Sequence, residues 1–197
     1  SGFLSIGATF FVFSDYMRPS VRLSALMGLP IIYVMTHDSI GVGEDGPTHQ
    51  PIEHLASFRA MPNINVFRPA DFIETKECYI IALANKKTPS MMVLSRQSVP
   101  QIRQSDKENL SSKGGYIISE ANNIDNIDVN IFATGSEVSL AIEVQRELQK
   151  QNKSVRVCSV PSIDLLYKQG KEYLLQLKND ARLLVAIEAA SSFGWHQ

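Results

Sequence analysis

The chain has 197 residues, 44% hydrophobic and 20% charged, with 19 Lys and Arg against 20 Asp and Glu and a formal net charge of −1. That balance fits a globular protein with a core rather than a disordered one. No Lys/Arg cluster is present, which argues against a nucleic-acid surface because phosphate neutralisation needs a basic patch.

The length admits one large unit or two small or incomplete ones. Cys78 and Cys158 are far apart and form no CxxC pair, which speaks against a metal or disulfide framework and makes a reducing, cytoplasmic setting the default. The opening SGFLSIGATFFVF is apolar, but it lacks a basic leader, is too short to span a bilayer and runs into Asp15, Arg18 and Arg22. It is therefore not expected to be a membrane anchor. The start without Met, in mid-pattern, is expected of a fragment.

From Thr9 to Met27 the apolar residues Phe10, Phe13, Met17, Val21 and Ala25 fall at helical spacing, with Thr9 placed to cap. Pro19 predicts a kink or two abutting helices, since it removes an amide donor and clashes with the preceding turn. Gly28 and Pro30 stop this run. Ile31 to Met35 reads as a short buried strand, and the polar stretch 36–51, THDSIGVGEDGPTHQP, begins at its C-terminal end. Ligands of open α/β sheets bind at such ends.

Ile52 to Ala60 is predicted helical behind Pro51, Asn65 to Phe67 a strand, Asp71 to Ala84 a capped helix and Met91 to Leu94 a strand. Residues 99–113 are polar and aperiodic and read as a linker. Beyond it Gly114 to Ser119 and Val129 to Ala133 read as strands, and Gly135 opens a helix to about Gln151. Val155 to Val160 is a further strand, 163–178 is helical in two pieces, and Leu183 to Ile187 is the last strand. The alternation predicts two consecutive α/β units with mostly parallel sheets, at 1–100 and 114–197 around a linker at 101–113. The sequence stops after a strand with no helix to cover it, so a truncated end is expected there too.

The stretch 36–51 holds His37 and His49 together with Asp38, Glu44 and Asp45. It can be read as a solvated Gly/Asp turn, or as a metal pair of His49 and His54, although there is no Cys pair and no HExxH. A phosphate cradle on Gly41 and Gly43 would lack the Lys and Ser/Thr of a P-loop. The reading that uses most residues is a polyhydroxylated or phosphorylated small molecule held by imidazole and carboxylate hydrogen bonds, with glycines letting the backbone approach. For His54 alone, a surface or structural role is expected.

The run THDSIGVGEDGPTHQPIEHLASFRAMPNINVFRPAD, followed by LSRQ, GGYI, IFATGSEVSLA and VPSID, resembles transketolase, a thiamine-diphosphate enzyme. The resemblance covers nearly the whole chain. The related 1-deoxyxylulose-5-phosphate synthase shares a GxDGxTHQ-like core, but the THDSIG start and the context of Arg96 fit transketolase better. The resemblance implies most of a pyrimidine-binding domain followed by most of a C-terminal domain. The family's metal-binding GDG motif is absent, as is the Glu that lies before the position of Ser1 and protonates the cofactor's aminopyrimidine.

It implies that Phe10, Phe13 and Tyr16 surround that pyrimidine, that His37 and Arg96 meet the sugar phosphate, that Asp45 accepts from a sugar hydroxyl, and that His49 acts near the reacting carbon as the catalytic residue. It also implies sugar-phosphate substrates, thiamine diphosphate with a divalent cation (Mg or Ca) whose ligands lie outside this chain, and a homodimeric parent of the pentose phosphate pathway that moves a two-carbon ketol unit. No nucleic acid or membrane partner is implied. The chain alone is expected to be inactive; the alternative of another class is a non-catalytic binding or assembly module.

Overall fold

The computed structural model describes residues 2–195; Ser1, His196 and Gln197 lie outside the described residues. Four strands, β1 (Ile6–Phe10), β2 (Ile32–Thr36), β3 (Asn65–Phe67) and β4 (Ser90–Val93), form a sheet in the order β1-β2-β4-β3 with every pairing parallel. Helices α1 (Arg18–Leu26), α2 (His54–Arg59) and α3 (Phe72–Ala84) connect them. A second sheet holds β5 (Tyr116–Ser119), β6 (Val129–Ala133), β7 (Val155–Ser159) and β8 (Leu183–Ile187) in the order β5-β7-β6-β8. Only β5 runs antiparallel there. Helices α4 (Glu137–Lys150), α5 (Ile163–Lys168) and α6 (Lys171–Lys178) complete that unit.

Side-chain alternation explains the two-sided cores. Tyr33 and Met35 of β2 join Phe11, Val21 and Phe58 on one face, while Ile32 joins Phe67, Cys78 and Met92 on the other. The inner strands β4 and β7 are buried at every position, whereas edge strands β1 and β8 keep exposed residues. Both cysteines are buried and unpaired. Among the described residues no helix is long and apolar enough to cross a membrane.

The predicted helix from Thr9 needs correction. Thr9 and Phe10 belong to β1, paired with Met35 and Thr36, so Thr9 caps nothing. The run of consecutive apolar residues here fits a strand as well as a helical face, and pairing with β2 decides between them. A 3-10 turn, Phe11–Tyr16, follows, and α1 then starts with Pro19 in its first turn. The missing amide costs nothing at that place, because no helical partner exists for it.

The segment 99–113 is polar, as expected of a linker, but it is fastened. Asp71 Oδ1 accepts the Glu74 amide and so caps α3, while its Oδ2 accepts from Gln101 Nε2 (2.8 Å) and from the amides of Ile102 (3.1 Å) and Arg103 (2.8 Å). Arg103 also pairs with the buried Glu77 at 2.6 Å. Gln101 and Arg103 are thus held by Asp71, the cap of α3, and by Glu77 within it, an arrangement that spacing along the chain cannot reveal.

At the junction of the units, Arg68 follows β3 with its side chain fully buried. Its guanidinium meets Asp38 Oδ2 at 2.7 Å, donates to Thr134 Oγ1 at 2.8 Å and pairs with Glu137. Gly135 lies so close that a Cβ would fall 2.8 Å from the Arg68 guanidinium carbon. Glu188 takes two bonds from Arg59, at 2.7 and 2.9 Å, and one each from Thr134 and Trp195. Burial alone would raise the Glu188 carboxyl; the Arg59 bonds and charge, with Trp195 and Arg68, hold it down to about 2.

Candidate active site

Parallel strands deliver their C-terminal ends to one edge of the sheet, and the candidate residues gather there. Phe10 ends β1, His37 follows β2 directly, and Arg96 follows β4. The Phe10 ring stacks on His37 with centroids 3.6 Å apart and lies nearly parallel to Phe13 at 5.9 Å. Phe13 continues the row to Tyr16 at 6.3 Å. His49 sets its edge against Phe10 and Phe13, 6.3 and 5.2 Å away. Tyr16 is 85% exposed and Phe13 36%, so the row presents open aromatic surface.

At the His37 end the charged residues converge. His37 Nε2 lies 3.6 Å and Arg96 Nε 3.8 Å from Asp45 Oδ2. These are loose contacts between part-exposed groups, worth little to stability. They leave hydrogen-bonding capacity free for a ligand. Thr48 Oγ1 sits 2.9 Å from His49 Nδ1, so the other ring nitrogen remains for a ligand.

Two glycines shape this end. A Cβ on Gly41 would fall 2.8 Å from the Gln97 amide, and one on Gly43, whose φ is 68°, would fall 3.2 Å from Arg96 Nη1. His37 itself has φ 60°, a left-handed conformation uncommon for a residue with a Cβ. Such strain, about 1–3 kcal/mol, persists where both flanks are held. Here β2 holds one side and the Asp38–Arg68 pair the other.

The transketolase pyrimidine-binding domain signature matches residues 1–101, and the transketolase-like C-terminal domain signature matches 114–197. The chain belongs to the transketolase family. A transketolase of Sinorhizobium medicae is 53% identical over 196 residues, covering 98% of this chain and 28% of that protein. A crystal structure of Pichia stipitis transketolase in complex with sedoheptulose 7-phosphate aligns with a TM-score of 0.89 at 46% identity, covering 96% of this chain and 28% of that one. Transketolase from Leishmania mexicana aligns with a TM-score of 0.91 at 41% identity, covering 98% and 28%. This transketolase-family chain thus spans a little over a quarter of the relatives' length.

Seven residues singled out from the transketolase resemblance, Phe10, Phe13, Tyr16, His37, Asp45, His49 and Arg96, share this edge. The loop's other two carboxylates, Asp38 and Glu44, do not join them. Asp38 is buried in its pair with Arg68, and Glu44 is exposed on a short 3-10 turn. Of the surface or structural role expected for His54, the surface alternative does not hold, because the side chain is 4% exposed and the imidazole packs on Phe11 at 5.5 Å. His49 and His54 have different neighbours, which gives the metal pair no support. Sequence reasoning passed over Gln97 and Arg68. Gln97 directly follows Arg96 and could have been found by that adjacency, whereas nothing in the sequence ties Arg68 to Asp38.

Proposed function

We propose that this chain forms one wall of a transketolase active site: the pyrimidine-binding side, with the sugar-phosphate contacts of a thiamine-diphosphate-dependent ketol transfer in the pentose phosphate pathway. The observation that carries this reading is the convergence of an open aromatic row and a His/Asp/Arg cluster at the C-terminal ends of β1, β2 and β4.

The exposed rings of Phe13 and Tyr16 fit a flat pyrimidine, which stacks well on aromatic faces. The diphosphate and its Mg or Ca ion belong, in this reading, to a facing wall contributed by the partner of a homodimer in the cytoplasm. When bound, thiamine diphosphate supplies the electron sink for breaking and making the C–C bond. The residues of this chain position the sugar. Arg96 offers a planar fork to phosphate oxygens, and His37 adds a second donor. Asp45 accepts from a hydroxyl, and His49 exchanges a proton with an oxygen near the reacting carbon through the nitrogen that Thr48 leaves free. The units are a pyrimidine-binding domain at 1–100 and a C-terminal domain at 114–197, and the chain by itself is inactive.

In a full-length transketolase carrying this sequence, His37→Ala and Arg96→Ala are expected to raise KM for phosphorylated ketoses more than for unphosphorylated ones, by about 1.5–3 kcal/mol in apparent binding. Equal effects on both sugar types would refute the phosphate contacts. Ketol transfer by the purified 197-residue chain would refute its inactivity.

A further inference from the structure

His54 is unusual among the polar side chains. It is 4% exposed, yet among the described residues neither ring nitrogen has a hydrogen-bond partner. A buried polar atom left unpaired is costly, so such an atom marks a place where something else binds. Each nitrogen faces a carboxylate: Nε2 lies 3.3 Å from Asp15 Oδ2 and Nδ1 lies 3.9 Å from Glu53 Oε2, neither forming a hydrogen bond.

We propose that His54, Asp15 and Glu53 bind a divalent first-row transition cation such as Zn2+. One ligand atom from each of the three lies within 4.8 Å of the others. Metal–nitrogen and metal–oxygen bonds of about 2.0–2.2 Å around a tetrahedral ion set ligand-to-ligand edges of about 3.4 Å. The His54–Asp15 separation of 3.3 Å already matches such an edge. Glu53 is two-thirds exposed, with side-chain freedom to close the third position, and solvent supplies the fourth ligand.

Imidazole with two carboxylates is a donor set that suits Zn2+ or Co2+ better than Mg2+ or Ca2+, which take oxygen. Arg18 donates to Asp15 Oδ1 at 3.0 Å, fixing the carboxylate and leaving Oδ2 toward His54. This outer contact orients the ligand, while its charge tempers the affinity. The packing of His54 on Phe11 and of Arg18 over Phe58 at 4.6 Å makes one side of the site dry and rigid. Asp15 lies between Phe13 and Tyr16 on the same 3-10 turn, so an ion there would also brace the aromatic row.

The test is calorimetric titration of the 197-residue chain with Zn2+ in a non-chelating buffer, with Co2+ absorption as a readout of coordination. One equivalent should bind, with the visible absorption of four-coordinate Co2+ and a rise in melting temperature, because the ion stabilises only the folded state. His54→Gln and Asp15→Asn should each weaken binding about tenfold or more, and Glu53→Gln should weaken it measurably. His49→Ala should leave it unchanged. Absence of saturable binding would overturn the proposal, as would affinity retained in His54→Gln or lost in His49→Ala. Should His54→Gln prove unfolded by circular dichroism, Glu53→Gln and Asp15→Asn decide, since both positions are half-exposed or more. Unchanged affinity in those two would then refute it. The inference does not rest on the proposed ketol transfer.

Discussion

Arg68→Met tests whether the junction depends on a buried cation. The native side chain is fully buried, faces Asp38 and Glu137 and donates to Thr134. Methionine replaces most of its volume but leaves the Asp38 carboxylate, only 2% exposed, without its counter-charge. Removing one partner of a buried pair costs about 3–5 kcal/mol. That is a large share of the 5–15 kcal/mol by which folded domains are held together. With a urea slope near the upper part of about 1–3 kcal/mol per molar, the midpoint should fall by about 1.5 M.

The single Trp195 lies in the second unit and donates to Glu188 at 2.8 Å, so its fluorescence follows that unit while circular dichroism follows both. Because Arg68 joins the units, the two signals should coincide in the wild type and separate in the variant. Asp38→Asn should cost less, because an amide oxygen still accepts from the guanidinium. A loss under about 1 kcal/mol in Arg68→Met, with coincident signals, would refute the reasoning and mean that the guanidinium keeps its water.

Two further outcomes are expected of the isolated chain. The Glu188 carboxyl lies at about 2 in the folded chain against 4.5 ordinarily, so its contribution is fully present above the ordinary value and is lost as the pH falls through the folded one. That difference corresponds to about 3 kcal/mol. The stability gap between wild type and Glu188→Gln should therefore close as pH falls from about 5 toward 2, and a gap that stays constant would refute it. Glu74 and Asp164 are shifted the opposite way, chiefly by burial, and favour the folded state on acidification, which is why the difference rather than the wild-type curve is read. Gly41→Ala should cost under about 1 kcal/mol, because the added methyl meets only the movable end of Gln97. It should shift the Gln97 side-chain amide resonances in an NMR spectrum; unshifted resonances would place the loop farther from Gln97.

Much of this architecture was legible because strand and helix alternate with clear boundaries. Asp71 marks the start of α3 as a cap, and the structure adds that Glu74 donates its amide to Asp71 and reaches back with its carboxylate to the Ala70 amide at 2.6 Å. The stretch 36–51 stands out by composition alone. What stayed hidden depends on partners distant in sequence. Phe10 reads equally well as a helical or a strand residue until β2 lies beside it. The left-handed backbone of His37 is flanked by β2 and by the pair that Asp38 makes with Arg68, thirty positions further along the chain. The burial of His54 depends on Phe11, which the helical pattern left unassigned.

The fastening of residues 101–103 by Asp71 has a consequence for anyone who would re-engineer the join between the units. The usual manoeuvre of exchanging a polar connector for a Gly/Ser tether assumes that the connector only spans a gap. Here it would remove the Gln101 side-chain donor from a carboxylate whose other oxygen starts a helix, leave the two backbone donors at 102 and 103 on a more flexible chain, and strip Glu77 of Arg103. The spacer and the scaffold are one component, so the two units of this chain cannot be recombined as independent modules without rebuilding the face of α3.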